Sequence, residues 1–338
     1  MRIMVFDVPA ESGGALTILN QYHDTAIKDK ENEWIFVVST PELKEADNVK
    51  VLNYPWIKKS WFHRLYFDNL VANKIVEKYK ADKVLSLQNV IVPKVKVKQT
   101  LYLHQPLPFV EKKYVITENF KFWLYQNVIS KMIYKSIREA DKVIVQTKWI
   151  RDAAIDKANV KKEKFILKQP ELNITVNKLY SPDNQSEKLF FYPSSGLIYK
   201  NHKIIVNACK TLKDKGISNY KVIFTLNGNE NKHIKTIKQI VTDNELPIEF
   251  IGSIDIDTVY EYYSKSVLIF PSYIETFGLP MLEAKMHESP ILASDCSFSH
   301  EILDGYNKVE FFDPFDVNSL HIKIRDKISE DIILLEEE

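Results

Sequence analysis

Two glutamates, Glu275 and Glu283, stand eight residues apart in the segment VLIFPSYIETFGLPMLE, and their surroundings decide what they can do. VLIFPS reads as a buried strand that ends at Pro271-Ser272. The loop YIET follows, Gly278 lets backbone come close to a ligand, and Pro280 suits the first turn of a helix continuing as MLEAKMH. The N–H groups of that first turn point outward with partial positive charge. A diphosphate would therefore sit over Thr276, Phe277, Gly278 and Leu279. A carboxylate accepts hydrogen bonds from vicinal hydroxyls, so each glutamate could hold a sugar or a ribose. Taken alone, Glu283 would serve equally to complement the helix dipole, and Glu275 would be an exposed loop acid. The strand, glycine and proline between and before them make the pattern much more specific.

A second group lies in the first half. Glu11-Ser12-Gly13-Gly14 follows the first predicted strand and opens a helix, which suits close backbone approach and an anion at the helix terminus. The motif is not GxGxxG, so a dinucleotide site of the usual kind is unsupported. His104, in LYLHQPLPF, stands where Pro106 and Pro108 end regular structure, at the carboxyl end of a strand. A histidine there can donate to a sugar hydroxyl, change its charge near neutral pH, or merely cap a loop. Asn89, in SLQNV, either lines the same region or forms an Asn turn.

These residues need a scaffold that gathers strand ends. RIMVFDV, WIFVVST, KVLSLQN, TLYLHQ and DKVIVQT read as buried strands, separated by helical patterns such as Ala15–Lys28 and Arg64–Lys80. The alternation restarts at KLFFYPSS and runs through YKVIFTLNG, IEFIGSI, SVLIFPS and PILASD. Strand-helix alternation predicts α/β architecture with parallel sheets covered on both faces. ELNITVNKLYSPDNQSEK is polar and carries a turn signal, so two doubly wound domains are expected, residues 1–172 and 189–338, joined by a linker over 173–188. Ligands of such sheets sit at carboxyl ends of strands where connections reverse, and a cleft between two such domains is the default site. The LLEEE end reads as a frayed helix tail.

The 338 residues, 45% of them apolar, suit two cores. No apolar run is long enough to predict a membrane span, and the N-terminus reads as a strand and loop rather than a signal peptide. Cys209 and Cys296 form no CxxC pattern, so neither a disulfide framework nor a zinc site is expected, and a reducing cytosol is the natural setting. The net charge of +1 conceals an asymmetry: up to Pro170 there are 29 Lys/Arg against 19 Asp/Glu, while the remainder is acidic. A basic half can face an anionic membrane or substrate, or be a solvated surface. Trp56, Trp61 and Phe62 mixed with Lys58, Lys59 and Arg64 could form a membrane-surface or acceptor-binding face, or ordinary core packing. Lys94, Lys96 and Lys98 alternate with Val95 and Val97, giving one charged face to an extended segment. No nucleic-acid recognition module is present.

The E-x7-E spacing of Glu275 and Glu283 in PSYIETFGLPMLEA resembles the signature of the retaining GT-B glycosyltransferases of family GT4. SSGLIYKNHKIIVNACKTL resembles that family's first donor-domain helix, with its KN pair at Lys200-Asn201. SPILASDCSFSHEIL, VEFFDPFDVNSL and ADKVIVQTKWIRD resemble further segments of it. The resemblance implies a GT-B fold, two Rossmann-like domains facing across a cleft, with the donor held mainly by the second. It implies a nucleoside-diphosphate sugar as donor, transfer with retention, and neither metal nor other cofactor. By matching positions, Glu275 would bind hydroxyls of the donor sugar and Glu283 the ribose. Phe277, Gly278 and Leu279 would offer amides, Lys200 would neutralise the diphosphate, His104 would contact the sugar, and Gly13-Gly14 would line the cleft. A departing diphosphate gains charge in the transition state, which is the physical basis for the lysine.

One departure matters: where the family often has an arginine in a G-R-L context, this chain has Ser194, Ser195 and Gly196. Lys203, or the hydroxyls of Ser194 and Ser195, would have to stand in for it. The expectation is a retaining glycosyltransferase of cell-surface polysaccharide or glycoconjugate synthesis, acting on a glycan or lipid-linked acceptor. It would be cytoplasmic, with peripheral contact at the inner face of the membrane. The rivals are a catalytically inactive glycosyltransferase-like subunit that binds sugar nucleotide or glycan beside a partner, and a phosphorylase or epimerase on the same architecture. Similar enzymes often continue with a helix that crosses back to the first domain, so the chain is expected to be short at that end.

Overall fold

The computed structural model describes residues 1–11, 13–170, 174–182 and 188–334, with side chains to residue 329. Ser12 of the glycine loop, linker residues 173 and 183–187, and most of the LLEEE end lie outside the described residues. The chain divides into two compact units, Met1–Pro170 and Glu171–Glu338.

The first unit starts with β1 (Arg2–Asp7), α1 (Gly13–Lys28), β2 (Glu33–Val38) and β3 (Val49–Asn53). A long helix follows, α2 (Trp61–Tyr66) and α3 (Ala72–Lys78) joined by a π turn at Phe67–Val71. Then come β4 (Lys83–Ser86) and β5 (Lys98–Leu103). A second helix joins α4 (Phe120–Leu124) to α5 (Ser130–Glu139) through another π turn at Tyr125–Ile129. The unit closes with β6 (Lys142–Val145), α6 (Lys148–Ala158) and β7 (Phe165–Leu167). All seven strands are parallel, in the order β3-β2-β1-β4-β5-β6-β7.

β1 shows why the strands read as unbroken apolar runs. Met4, Phe6 and Val8 enter one core and Val5 enters another, so helices cover both faces. β3 and β7 were not legible as strands, and the sheet order explains it: both are edge strands. Lys50 and Asn53 of β3 and Ile166 and Leu167 of β7 face solvent, so neither shows the apolar continuity of a central strand. The alternation around Lys96 is physical. Lys94, Lys96 and Lys98 are exposed while Val95 and Val97 pack on the core, although regular pairing starts only at Lys98.

The second unit contains β8 (Leu189–Tyr192), α7 (His202–Asp214), β9 (Lys221–Phe224), α8 (Lys232–Asp243), β10 (Ile248–Phe250) and α9 (Ile256–Tyr263). It continues with β11 (Val267–Phe270), α10 (Leu279–Met286), β12 (Ile291–Ser294), α11 (Ser297–Ile302), β13 (Val309–Phe312) and α12 (Val317–Leu334). Six parallel strands lie in the order β10-β9-β8-β11-β12-β13. α12 packs on α7, burying Leu320, Ile324 and Ile328. Of the expected linker, the amides of Tyr180 and Ser181 donate to His287 and Ser264 carbonyls, so these residues are fastened to the second unit. In each sheet the connections reverse direction once, between β1 and β4 and between β8 and β11. Ligands of doubly wound sheets bind outside the strand ends at such points.

Candidate functional site

The reversal point of the second sheet collects the residues with the strongest chemical signal. After β8 come Ser194, Ser195 and a single 3-10 turn, Ile198–Lys200. After β11 come Glu275 and the turn that opens α10. Lys200 Nζ donates to Glu275 Oε1 at 2.5 Å, with only 16% and 15% of the two side chains exposed. The ammonium also lies 5.8 Å from the Tyr199 ring centroid and 6.0 Å from that of Phe270. Burial and the Glu275 charge push the Tyr199 hydroxyl up to about 12, so it stays a neutral phenol.

Several bonds hold this turn still. Tyr192 Oη donates to the Lys200 carbonyl at 2.7 Å. The Tyr273 amide and Ser272 Oγ both donate to the Tyr199 carbonyl. Asn201, in the left-handed region with φ 59°, sends its side-chain amide to the carbonyls of Pro271 (3.3 Å) and Pro314 (2.7 Å). One asparagine thus ties together the loops after β8, β11 and β13. The KN pair is a charge and its clamp.

The start of α10 has the form expected of an anion site. Gly278 caps the helix with φ +89°, a left-handed conformation that strains any L side chain, and a Cβ there would also press on the flexible end of Met281. The Met281 amide turns back to the Gly278 carbonyl, and Pro280 has no N–H. Among the described residues, no hydrogen bond uses the amides of Phe277, Gly278 or Leu279. Phe277 packs inward, while Leu279 is partly exposed. Thr276 precedes them in the same turn.

Glu283 stands at the fifth position of α10, and its Oε2 accepts from Tyr263 Oη at 3.0 Å. Burial raises its carboxyl above the usual range, against the pull of that hydrogen bond. Glu283 is therefore an oriented, half-buried acceptor, not an exposed charge serving the helix dipole.

Ser194 and Ser195 part company. Ser195 is exposed. The Ser194 amide donates to Thr225 Oγ1 at 3.2 Å, and its hydroxyl bonds His202 Nε2 at 2.9 Å. His202 is fully buried between the Tyr192 and Phe224 rings, and its Nδ1 finds no partner among the described residues. Burial, reinforced by the nearby His233 and Lys200 charges, pulls its pKa down to about 3 and keeps it neutral. The stretch Ser194–Gly196 thus brings a neutral serine-histidine pair to this end of the sheet, not a cation. Sequence reading missed His202, because a histidine at the start of a helix carries no signal of what it touches.

The first unit gathers its own residues at its reversal point. Gly13, with φ +60°, begins α1, and among the described residues no atom outside its own turn lies within 4 Å of where a Cβ on it or on Gly14 would stand. Asn89, with φ 64°, takes the Asn-turn form, and its Oδ1 accepts from the amides of His104 and Gln105 at 2.8 and 3.0 Å. It thereby fixes the loop that carries His104. Burial pulls the His104 pKa down to about 4, which corrects the expectation of a charge change near neutral pH: the imidazole is neutral there.

Sequence reading also passed over Asp7, the last residue of β1, because an acid ending a strand reads as ordinary. It is fully buried, and neither carboxyl oxygen finds a well-formed partner among the described residues. Burial raises its pKa to about 8, partly offset by Arg64, the Ala10 amide and Lys58.

Two parallel doubly wound sheets, the second with a lysine-glutamate pair and a glycine-capped helix at its reversal point, define a GT-B protein. Residues 177–337 match the family model described as Glycosyl transferases group 1. The match spans nearly all of the second unit, which is thus a glycosyltransferase group 1 domain. Among curated proteins it is similar to the O-antigen chain mannosyltransferase RfbU of Salmonella typhimurium. The two are 23% identical over 269 residues, spanning 78% of this chain and 69% of the relative. Among solved structures, the apo form of the lipopolysaccharide outer core galactosyltransferase WaaB matches with a TM-score of 0.71 at 13% identity. That match covers 98% of this chain and 91% of WaaB. HepE of Anabaena, in complex with UDP-glucose, matches with a TM-score of 0.68 at 16% identity, covering 98% and 90%.

Proposed function

We propose that the chain transfers a sugar, with retention, from a nucleoside-diphosphate sugar to an acceptor hydroxyl. The observation that carries this reading is the reversal point of the second sheet, where Lys200, Glu275 and three unused amides of Phe277–Leu279 converge. In this reading the amides and Lys200 hold the diphosphate and stabilise the charge it gains on departure. Glu275 receives hydroxyls of the sugar, and Glu283, oriented by Tyr263, receives the ribose. Neutral His104 donates to a sugar hydroxyl, and the Gly13-Gly14 turn leaves room for donor phosphate or acceptor. The acceptor attacks from the side that the leaving group vacates, and the phosphate takes its proton. The names of RfbU and WaaB support a cell-surface glycan as acceptor, and the UDP-glucose bound by HepE supports a uridine nucleotide as donor.

The test is a thermal-shift screen of the purified chain against nucleotide sugars, followed by detection of transfer with the best of them. Binding to the native state raises the melting temperature by linkage. Lys200→Ala and Glu275→Ala should each abolish transfer; full activity in both would refute the site. A second reading, a subunit that binds donor without using it, is favoured by Ser194, Ser195 and Gly196 standing where the family often has arginine. Donor-dependent melting shifts with neither hydrolysis nor transfer would establish it.

A further inference from the structure

The loop after β13 carries an aromatic ring where turn tips ordinarily carry small polar residues. Asp313–Asp316 form a turn closed by the Asp316 amide, which donates to the Asp313 carbonyl at 3.2 Å. Pro314 presets its second position, and Asp313 Oδ1 accepts from the Phe315 amide at 2.8 Å, the local bond that favours aspartate at the start of a turn. The third position is Phe315, and its side chain is turned outward, 62% exposed.

The turn is held still around that ring. The Asp313 amide donates to Ser319 Oγ at 3.1 Å, and the Pro314 carbonyl accepts from Asn201 Nδ2 at 2.7 Å. Asn201 also reaches the Pro271 carbonyl, so the loop after β13 is fastened to the loop after β11. That second loop supplies Tyr273, whose ring lies 5.1 Å from that of Phe315, inclined at 54°. The Tyr273 amide donates to the Tyr199 carbonyl, next to Lys200, and Glu275 follows two residues on. The two rings therefore stand at the carboxyl end of the second sheet, in a loop shared with the glutamate proposed to hold the donor sugar. Tyr273 is half-buried and backs the exposed ring. Single exposed aromatics are ordinary on surfaces, but one braced by these bonds and by a second ring presents a pre-organised face.

Charge and size narrow what that face receives. Asp313 and Asp316 flank Phe315 and are exposed, while Lys323 and Lys327 of α12 pair with Glu310 instead. A lipid phosphate or an acidic sugar would be repelled by the two aspartates. The apolar face is one ring wide between charged neighbours, unlike the uncharged centre of a protein interface. A neutral pyranose suits both features. Its C–H groups carry partial positive charge and lie against the negative face of an aromatic ring, while its hydroxyls donate to carboxylates. Among the described residues, Asp313 Oδ2 makes no hydrogen bond.

We propose that Phe315, backed by Tyr273, is a stacking platform for an uncharged sugar ring of the acceptor, with Asp313 receiving its hydroxyls. The assignment to the acceptor rests on the transfer reading, in which Glu275 and the Phe277–Leu279 amides are taken up by the donor. The stacking itself does not rest on it.

Saturation-transfer NMR on the full chain tests the platform, with methyl α-mannoside, methyl β-galactoside and methyl β-glucoside as probes. Irradiating the aromatic protons should saturate the ring C–H protons of at least one glycoside. Phe315→Ser should remove most of that transfer without moving the melting temperature, because the side chain is exposed, and Phe315→Trp should retain it. Glu275→Gln should retain it as well, which separates the platform from the place of the donor sugar. No transfer from the wild type to any of the three glycosides, or undiminished transfer from Phe315→Ser, overturns the platform. The acceptor assignment is read from kinetics with a transferred nucleotide sugar. Phe315→Ser should raise the KM for the acceptor about fivefold and leave the KM for the donor unchanged. A rise in the donor KM alone overturns that assignment. Absence of transfer by the wild type strikes the transfer reading and the acceptor assignment with it, while the NMR result still decides the platform.

Discussion

The Lys200–Glu275 pair makes a prediction with opposite signs for two ligands. Glu275 occupies the cation that a diphosphate is proposed to take, so nucleotide binding must displace it. At an effective dielectric constant near 20, unit charges 2.5 Å apart attract by about 7 kcal/mol before desolvation. Both side chains are largely buried, so lost hydration offsets most of that, leaving on the order of 1–2 kcal/mol. Glu275→Gln removes the competing charge, and repulsion of an arriving diphosphate with it. Its affinity for a nucleoside diphosphate should therefore rise about tenfold, the equivalent of about 1.4 kcal/mol. Toward a nucleotide sugar the same change loses a charged hydrogen bond to a hydroxyl, about 1.5–3 kcal/mol, so the advantage of the sugar-bearing ligand shrinks and transfer falls. Calorimetric titration with whichever of UDP, GDP or ADP binds best, and with its glucose derivative, reads both signs. If Glu275→Gln binds the nucleoside diphosphate no more tightly than wild type, the displacement argument is wrong.

Four further outcomes are expected. Gly278→Ala forces a side chain into a left-handed cap against Met281, so it should cost about 1–3 kcal/mol in a denaturant titration and weaken nucleotide binding; wild-type values for both would refute the cap geometry. Asn201→Ala removes two hydrogen bonds that join three loops and should destabilise by about 1–3 kcal/mol, measured by the shift in urea midpoint. For pH, the folded pKa of Asp7 is raised from 3.8 to about 8, so the stability it contributes is full below pH 3.8 and is lost as pH rises through about 8. The melting temperature of Asp7→Asn relative to wild type should therefore climb between pH 5 and pH 8, and a flat difference would speak against the buried acid. His202 has the opposite sign: lowered from 6.5 to about 3, it contributes stability above pH 6.5 that is lost on acidification, and His202→Gln should flatten that limb of the melting curve.

The sequence by itself determined the central strands, the restart of the alternation, and the strand-glycine-helix turn around Gly278. These are local: a buried parallel strand is an unbroken apolar run, and a left-handed helix cap with a proline just inside the helix admits few residue types. Edge strands β3 and β7 escaped because half of their surface meets solvent and their composition follows it. Tertiary structure alone decided the pairing of Lys200 with Glu275, which are 75 residues apart, and the seating of His202 against Ser194. It also decided the burial of Asp7, and which side of the Trp61–Lys78 helix faces out. Periodicity marks that a helix has two sides. Which side meets the core depends on neighbours contributed by distant strands, and a group's charge state depends on how much water those neighbours exclude. The glutamate spacing was legible because it lies within one turn and helix, while the partners that orient each glutamate arrive from β8 and α9 through the sheet order.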